Sequence, residues 1–473
     1  MTQIKFGTSG WRGILAEDFT LDNVRVVVQA IADDLHEQGL GQRGLVVGHD
    51  SRFFGERFAH ETARVLAGAG IKSFVCKRDT PTPVIADEIM RRGTDGAINF
   101  TASHNPYEYN GIKFSTAWGG PALPEVTARI EQRANTLLGQ VCYKEMALDQ
   151  AVRQGLVEEI DPMPAYLDVI RKKVDLEAIG RSGMTVIFDP MFGAGRDYVD
   201  SVLVEAGLLV QTINGTRDPY FGGMPPDPGP AHLKSLVDRV TGDPRVVLGL
   251  ATDGDADRYG IIDADGTFIE PNYILALLYD YLIRRKGESG DAARSVATSH
   301  FLDAVAAHHG YRVRETPVGF KYIGEFIRDN LIVIGGEESA GLSLRGHVPD
   351  KDGILACLLV AEMVAVEGRP IGDLLHDLYA RVGTFHSART NLRLSPALAE
   401  SIADKLASPP DRLAGKTVRE CVTTDGVKLL LEDGAWILFR KSGTEPVVRV
   451  YSEAHSAEDL DRLTQAAVAF VEN

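Results

Sequence analysis

Short continuous apolar runs alternate along this chain with stretches whose apolar residues recur three and four positions apart. The alternation is clear from residue 45. Leu45-Val46-Val47 has the pattern of a strand buried on both faces, and Gly48-His49-Asp50-Ser51-Arg52 that of a polar loop. Phe58, Thr62, Val65, Leu66 and Ala69 then share one helical face, Gly70 closes the helix, and 71–76 reads as the next strand. The unit recurs. Met184-Thr185-Val186-Ile187-Phe188 leads into the loop Asp189-Pro190-Met191-Phe192-Gly193-Ala194-Gly195, a helix carrying Tyr198, Val202, Leu203 and Ala206, then Gly207 and a strand over 208–213. A third copy begins at Ser295-Val296-Ala297-Thr298, continues through a helix with Phe301, Val305 and Ala306 to Gly310, and ends in a strand over 311–314. Units this far apart predict three related α/β domains rather than a solenoid, whose repeat would be roughly 20–50 residues.

From about residue 380 the pattern changes. A strand over 389–394, a helix over 395–406, a hairpin of 427–431 and 436–439 around Glu432-Asp433-Gly434, a strand over 447–451 and a final helix over 457–472 describe an α+β module. The Pro- and Gly-rich segment 215–230 reads as a long loop inside the second domain.

Length and composition agree with several domains: 473 residues exceed what one core serves, and 44% hydrophobic with 25% charged residues is ordinary for a globular protein. A formal net charge of -16 argues against a nucleic-acid backbone as partner, yet leaves room for a small phosphorylated ligand in a local basic pocket. The four cysteines, Cys76, Cys142, Cys357 and Cys421, are too scattered for a zinc site or a disulfide framework, and buried free thiols in a reducing compartment are expected. The first residues lack a basic-then-apolar leader, and no run of about 18 apolar residues occurs, so a cytoplasmic protein that does not engage a membrane is expected.

Four loops carry candidate chemistry. Thr101-Ala102-Ser103-His104-Asn105-Pro106 follows a strand and can expose a side chain on a rigid support. A serine hydroxyl is a weak nucleophile at neutral pH and needs a base, a metal or a dipole beside it; taken alone, the hexapeptide reads equally as a surface turn. Asp253-Gly254-Asp255-Ala256-Asp257-Arg258 follows the strand-like Val246-Val247-Leu248-Gly249-Leu250 and can aim three carboxylates at one hard cation, a solvated acidic turn being the plainer alternative. It is not an EF-hand: counting from Asp253, the sixth position is Arg258 and the twelfth Ala264, where Gly and Glu are required. Three ligands leave an octahedral Mg2+ incomplete, so water or a phosphate oxygen should complete it, which is where a phosphorylated Ser103 would fit.

Gly335-Gly336-Glu337-Glu338-Ser339-Ala340-Gly341 places two carboxylates in a glycine-flanked loop able to accept hydrogen bonds from vicinal hydroxyls. Arg440-Lys441-Ser442-Gly443-Thr444-Glu445-Pro446 combines a guanidinium, hydroxyls and a free backbone as a phosphate nest would, with Arg449 as a second cation. Near the start, Gly7-Thr8-Ser9-Gly10-Trp11-Arg12-Gly13 suggests a flexible or closely approached backbone presenting one cation. Other motifs fail on context. Gly39-Leu40-Gly41-Gln42-Arg43-Gly44 precedes a strand instead of following one, Gly415-Lys416-Thr417 has Pro410 at the first P-loop glycine, and no serine lies in GxSxG.

Together these loops resemble those of the α-D-phosphohexomutase family, which includes phosphoglucomutases and phosphomannomutases. The resemblance spans the chain: TASHNP with Asn110-Gly111-Ile112-Lys113, DGDADR, GEES and RxSGTEP occur in the family's order. It implies three topologically similar α/β domains with mixed sheets and a C-terminal α+β domain around a central cleft, divided at 1–150, 151–263, 264–378 and 379–473. It implies a phosphoserine at Ser103, Mg2+ held by Asp253, Asp255 and Asp257 against that phosphate, and Lys113 and His104 as catalytic partners, the lysine a candidate acid/base. Arg12 and Arg258 would stabilise the moving phosphoryl group, Glu337, Ser339 and Lys351 would bind the sugar, and Arg440, Ser442, Gly443 and Thr444 the substrate's phosphate.

The implied activity is interconversion of hexose 1- and 6-phosphates through a hexose 1,6-bisphosphate, which also serves as activator, by a monomer or weak dimer. Glu337-Glu338-Ser339 with His347 and Lys351-Asp352-Gly353 is most similar to the phosphoglucomutase pattern, with mannose as a second sugar. SGTEP followed by Arg449 is also similar to phosphoglucosamine mutases. A metal-dependent sugar phosphatase is the remaining enzyme alternative.

Overall fold

Seven strands form the first sheet, in the order Phe6–Gly7, Gly10–Ile14, Tyr109–Thr116, Gly96–Phe100, Leu45–His49, Ser73–Cys76 and Val157–Ile160. Adjacent residues of Leu45–His49 face opposite sides: Val47 packs with Ile31, Phe58 and Leu66, while Val46 packs with Ile85 and Ile89. Helices cover both faces, which explains an apolar run where a half-exposed strand would alternate. The computed structural model describes residues 3–140, 142–393, 395, 402, 404–441 and 447–472.

Within this sheet, Leu45–His49 pairs in parallel with both Ser73–Cys76 and Gly96–Phe100, and Gly96–Phe100 pairs antiparallel with Tyr109–Thr116. The second sheet repeats the arrangement with Thr185–Asp189, Leu209–Thr212, Val246–Thr252 and Tyr259–Asp263. The third repeats it with Ala292–Ser295, Val313–Thr316, Ile334–Glu337 and Gly341–Leu344. Among these four strands of each domain the spatial order is second, first, third, fourth, with only the last pair antiparallel. The serine loop, the acidic loop and the Glu337 loop all occupy the connection from the third strand to the fourth. Chain reversal there delivers each loop beyond the carboxyl end of a parallel strand, where open α/β sheets bind their ligands.

One apolar cluster, joined by Val84 of the first domain, runs from Tyr166 to Phe385 and fuses the second and third domains. Its centre is the helix Gly353–Glu367, apolar around its circumference and buried from Gly353 to Val364, which packs on the second sheet although it follows the third. The acidic and Glu337 loops are therefore carried by a shared core. The C-terminal domain is a six-stranded antiparallel sheet ordered His386–Arg393, Val447–Ala454, Trp436–Lys441, Val427–Leu431, Lys416–Val422 and Arg412–Leu413, with helix Ala457–Glu472 against it.

Several expectations shift. The third unit's first strand is Ala292–Ser295, and 295–298 is where it turns; Arg294 sits inside the strand, neutralised by Asp303 and Glu315. The first sheet takes its last strand from Val157–Ile160, beyond the boundary expected at residue 150. The Gly7–Gly13 segment is no flexible turn: Gly10–Ile14 is a strand on Tyr109–Thr116, with Arg12 opposite Gly111. Gly10 adopts φ +103, and a β-carbon there would lie 2.3 Å from the Ile112 carbonyl oxygen, so close approach is what its glycine serves. Of the cysteines, Cys76 and Cys357 are buried, Cys142 is part-exposed and Cys421 exposed. The helix expected over 395–406 falls largely outside the described residues. Among the described residues, no helix is long and apolar enough to cross a membrane.

Candidate active site

Gly96–Phe100 ends in Thr101-Ala102-Ser103, and Ser103 turns into the left-handed region at φ +53 while 1% exposed. For a residue with a β-carbon that conformation costs about 1–2 kcal/mol, so surrounding contacts must hold it. Thr101 Oγ1 accepts the Ser103 amide at 2.8 Å. Ser103 Oγ donates to Asp253 Oδ2 of the second domain at 2.7 Å and lies 3.2 Å from His104 Nδ1. The approach is close enough that a β-carbon at Gly254 would lie 2.7 Å from the Ser103 carbonyl oxygen.

Asp253, Asp255 and Asp257 are all buried, with ligand oxygens within 4.8 Å of one another. Lys113 Nζ reaches Asp255 at 2.5 Å and Asp257 at 2.8 Å, and Lys351 Nζ reaches Asp257 at 2.8 Å. Thr82 Oγ1 donates to Asp255 at 2.6 Å, and the Arg258 amide to Asp253 Oδ1 at 3.1 Å. Asp255 Oδ1 and Asp257 Oδ1 nevertheless remain buried without a hydrogen-bond partner. Two orphaned anionic oxygens within an all-carboxylate set fit a hard divalent cation such as Mg2+.

The ionisation pattern agrees. Burial, then the charges of Asp255 and Asp257, push Asp253 well above the usual carboxylate range. Burial, joined at Asp255 by the charge of Asp257, opposes ionisation of both, but Lys113 and Thr82 at Asp255, and Lys113, Lys351 and Arg258 at Asp257, together outweigh it, and both are held low. Burial alone would discharge Lys113, yet Asp255, Asp257 and Asp350 raise it above the ordinary lysine range, so the ammonium persists.

Arg12 and Arg258 crowd His104, the residue after Ser103. Arg12 donates to Asn105 Oδ1 of the serine loop. Burial, followed by repulsion from Arg258, lowers Arg12 to about 10. Arg258, then burial, then Arg12 hold His104 well below its usual range, leaving a neutral imidazole beside the hydroxyl. Three like-signed or potentially like-signed groups crowded together destabilise one another until an anion joins them.

Glu337 ends the strand Ile334–Glu337 and accepts the Gly319 amide at 2.8 Å. Burial and Glu338 raise its pKa to about 7 against the pull of Gly319, Lys351 and Arg258. Glu338 is anchored by Ser295 and Thr298, each at 3.1 Å, while Ser339 is part-buried on the same loop. In the last domain Arg440 pairs with Asp425 at 2.9 Å, and Asp425 also accepts the Val318 amide at 3.0 Å, so the stem of that loop meets the residue before Gly319. Arg449 stands opposite Arg440 on the neighbouring strand. Ser442, Gly443 and Thr444 lie outside the described residues.

Sequence reasoning missed Arg52 and Asp50. Arg52 is fully buried and donates to four carbonyl oxygens between Ser103 and Tyr109. The available signal was position alone, in the polar loop after a buried strand.

Sequence profiles of the phosphoglucomutase/phosphomannomutase domains match in order: α/β/α domain I over 3–139, α/β/α domain II over 164–266, α/β/α domain III over 270–382 and the C-terminal domain over 390–469. The chain belongs to the α-D-phosphohexomutase family. This phosphohexomutase is 30% identical to the phosphoglucomutase/phosphomannomutase of Thermococcus kodakarensis, over 99% of this chain and 98% of that one. It is 29% identical to a Methanopyrus kandleri protein assigned as a phosphoglucosamine mutase, over 98% and 97% of the two chains. A crystal structure of a Thermus thermophilus protein described as a phosphomannomutase superposes with a TM-score of 0.86 at 34% identity, covering all of both chains. Phosphohexomutases are isomerases that act as intramolecular phosphotransferases, and the buried Asp triplet of this one suits the family's Mg2+ dependence.

Proposed function

We propose that this enzyme interconverts glucose 1-phosphate and glucose 6-phosphate, with mannose phosphates as second substrates, using Ser103 as the phosphoryl carrier. The observation that carries the reading is the 2.7 Å hydrogen bond from Ser103 Oγ to Asp253, made between two domains inside a nest of Arg12, Arg258 and neutral His104. In the first half-reaction a sugar hydroxyl oxygen bonds to the phosphorus on Ser103 as the P–Oγ bond breaks, giving the hexose 1,6-bisphosphate. The bisphosphate turns over, and its other phosphoryl group passes back to Ser103 Oγ. The proton lost by the sugar hydroxyl ends on Ser103 Oγ as the P–Oγ bond breaks and returns to the freed sugar oxygen in the second half, with Lys113, held as the ammonium, as the acid partner in that exchange.

Phosphoryl transfer demands positioning and charge neutralisation more than covalent chemistry. Arg12 and Arg258 face the transferring group. Asp253, Asp255 and Asp257 would hold Mg2+, which when bound supplies positive charge to the phosphoryl oxygens. Glu337 and Ser339 would accept sugar hydroxyls beside Lys351. Arg440, with Ser442, Gly443 and Thr444, would grip the phosphate that is not reacting. Each orientation of the bisphosphate brings one end to Ser103 and the other to that grip.

The deciding experiment incubates the protein with Mg2+, glucose 1,6-bisphosphate and, in turn, glucose, mannose and glucosamine 1-phosphates, following 6-phosphates and free phosphate by phosphorus NMR. The reading expects glucose 6-phosphate to form fastest with negligible free phosphate. Stoichiometric phosphate release would make the protein a phosphatase, and fastest turnover of the amino sugar a phosphoglucosamine mutase.

A further inference from the structure

The serine loop is gripped from behind by one side chain. Arg52 Nη2 donates to the carbonyl oxygens of Ser103 and Asn105, each at 2.6 Å, and Nη1 to those of Pro106 at 2.7 Å and Tyr109 at 2.9 Å. Its Nε reaches Asp50 Oδ2 at 3.1 Å. All the donors of a guanidinium fork are thereby engaged, in a planar geometry that no other side chain reproduces. Asp50 Oδ2 also accepts Thr101 Oγ1 at 2.6 Å, and Thr101 Oγ1 in turn accepts the Ser103 amide at 2.8 Å. The circuit closes on Ser103 from both sides, holding its carbonyl directly through Arg52 and its amide through Thr101 and Asp50. Arg52, Asp50 and Thr101 are each at most 1% exposed. Phe221 of the second domain covers the guanidinium with its ring centre 5.0 Å away.

We propose that Arg52, Asp50 and Thr101 form a positioning clamp that fixes Ser103 in its left-handed conformation and so keeps Oγ at one place for both halves of the reaction. The inference rests on the reading of Ser103 as the phosphoryl carrier. A mutase needs such constancy more than a one-way transferase does, because the oxygen that gives up the phosphoryl group must meet the opposite end of the same intermediate. The hydrogen bonds of Arg52 and Thr101 to Ser103 go to its carbonyl oxygen and amide, while Oγ contacts Asp253 and His104, so the three side chains act through the backbone of the loop.

The test uses the full-length protein with Mg2+ and glucose 1,6-bisphosphate. Arg52→Lys keeps a charge for Asp50 but cannot reach four carbonyl oxygens. Thr101→Val keeps the shape and removes the hydroxyl joining Asp50 to the Ser103 amide. For each folded variant the expected result is KM within about threefold of the parent and kcat lower by roughly 30- to 100-fold, the scale of a misplacement of about 1 Å. Single-turnover transfer from phosphorylated Ser103 should fall by the same factor. Thr101→Ser, which restores the hydroxyl, should recover at least about tenfold in kcat over Thr101→Val. Losses confined to melting temperature or to KM, or turnover of both variants within about threefold of the parent, would overturn the clamp. If Arg52→Lys fails to fold, the threonine pair decides. Ser103→Ala run in parallel separates the two readings. An active Ser103→Ala removes the phosphoryl carrier and the clamp with it; an inactive one beside normal clamp variants removes only the clamp.

Discussion

Ser103 and Asp253 stand 150 positions apart in the chain and share a 2.7 Å hydrogen bond that joins the first two domains at the Ser103 hydroxyl. With Ser103 as phosphoryl carrier, Ser103→Ala should lose well over a hundredfold in kcat, because positioning and charge stabilisation each contribute several powers of ten. Sugar phosphate should still bind, measured by calorimetry, since the loops proposed to bind it belong to other domains. Near-normal turnover of the variant would remove Ser103 from the mechanism.

Lys113 is the cation shared by Asp255 and Asp257, and its replacement tests what balances the acidic triplet. Lys113→Met leaves two buried carboxylates short of a partner, for which a loss of about 3–5 kcal/mol is expected. Thermal melts in chelator should show that loss. Added Mg2+ should raise the melting temperature more in the variant than in the parent, because the ion then compensates charge that Lys113 no longer does. Chelation of the parent should abolish turnover, with recovery on adding Mg2+. Equal responses of variant and parent to Mg2+ would place the ion elsewhere.

The loops were legible in the sequence because their chemistry is local: three aspartates at alternate positions, or serine beside histidine, need no partner to be noticed. Topology followed from the same periodicity, since Leu45–His49 and its counterpart Thr185–Asp189 are buried on both faces and read as apolar runs. Arg52 was not legible, because its partners are backbone oxygens some fifty positions away and a backbone oxygen carries no residue signature. Arg294 concealed its strand, since an arginine suggests solvent until Asp303 and Glu315 are found beside it. Val157–Ile160 was lost because two of its four residues are glutamates, which an edge strand tolerates and a pattern search reads as loop.

Glu337 sets a pH test. Burial and Glu338 raise its pKa to about 7, so its carboxylate gains a proton as the pH falls through neutrality and loses capacity to accept from a sugar hydroxyl. In the parent, kcat/KM should rise with pH through about 7, and Glu337→Gln should be slower with that limb flattened. Stability runs the other way. The folded pKa exceeds the unfolded value, so keeping the charge costs stability above pH 7, and the cost vanishes below the unfolded carboxylate range. The gap between Glu337→Gln and the parent in urea midpoint should therefore favour the variant most near pH 8 and close towards pH 4. Parallel pH profiles of activity and stability would show that Glu337 does not titrate there.

Lys428 makes the opposite case at the junction of the last two domains. Its ammonium donates to the Val296 carbonyl oxygen at 2.8 Å, lies 2.9 Å from His300 Nε2, and stands 4.1 Å from the centre of the Trp436 ring. Burial, then repulsion from Arg294, lowers its pKa to about 8 although Glu315 pulls upward. An unfolded lysine titrates near 10.4, so between about 8 and that value the unfolded chain holds a proton the folded one has released, and stability from this site rises with pH. Below about 8 both states are protonated and the penalty of burying the charge is full and constant. Lys428→Met removes that penalty along with its contacts. The stability of the variant minus that of the parent should therefore be highest near pH 7 and decline as the pH approaches 10, whatever constant offset the lost contacts impose. Urea midpoints at pH 7, 8.5 and 9.5 measure the trend, and a difference that does not change across them would mean the lysine keeps its proton in the folded protein throughout.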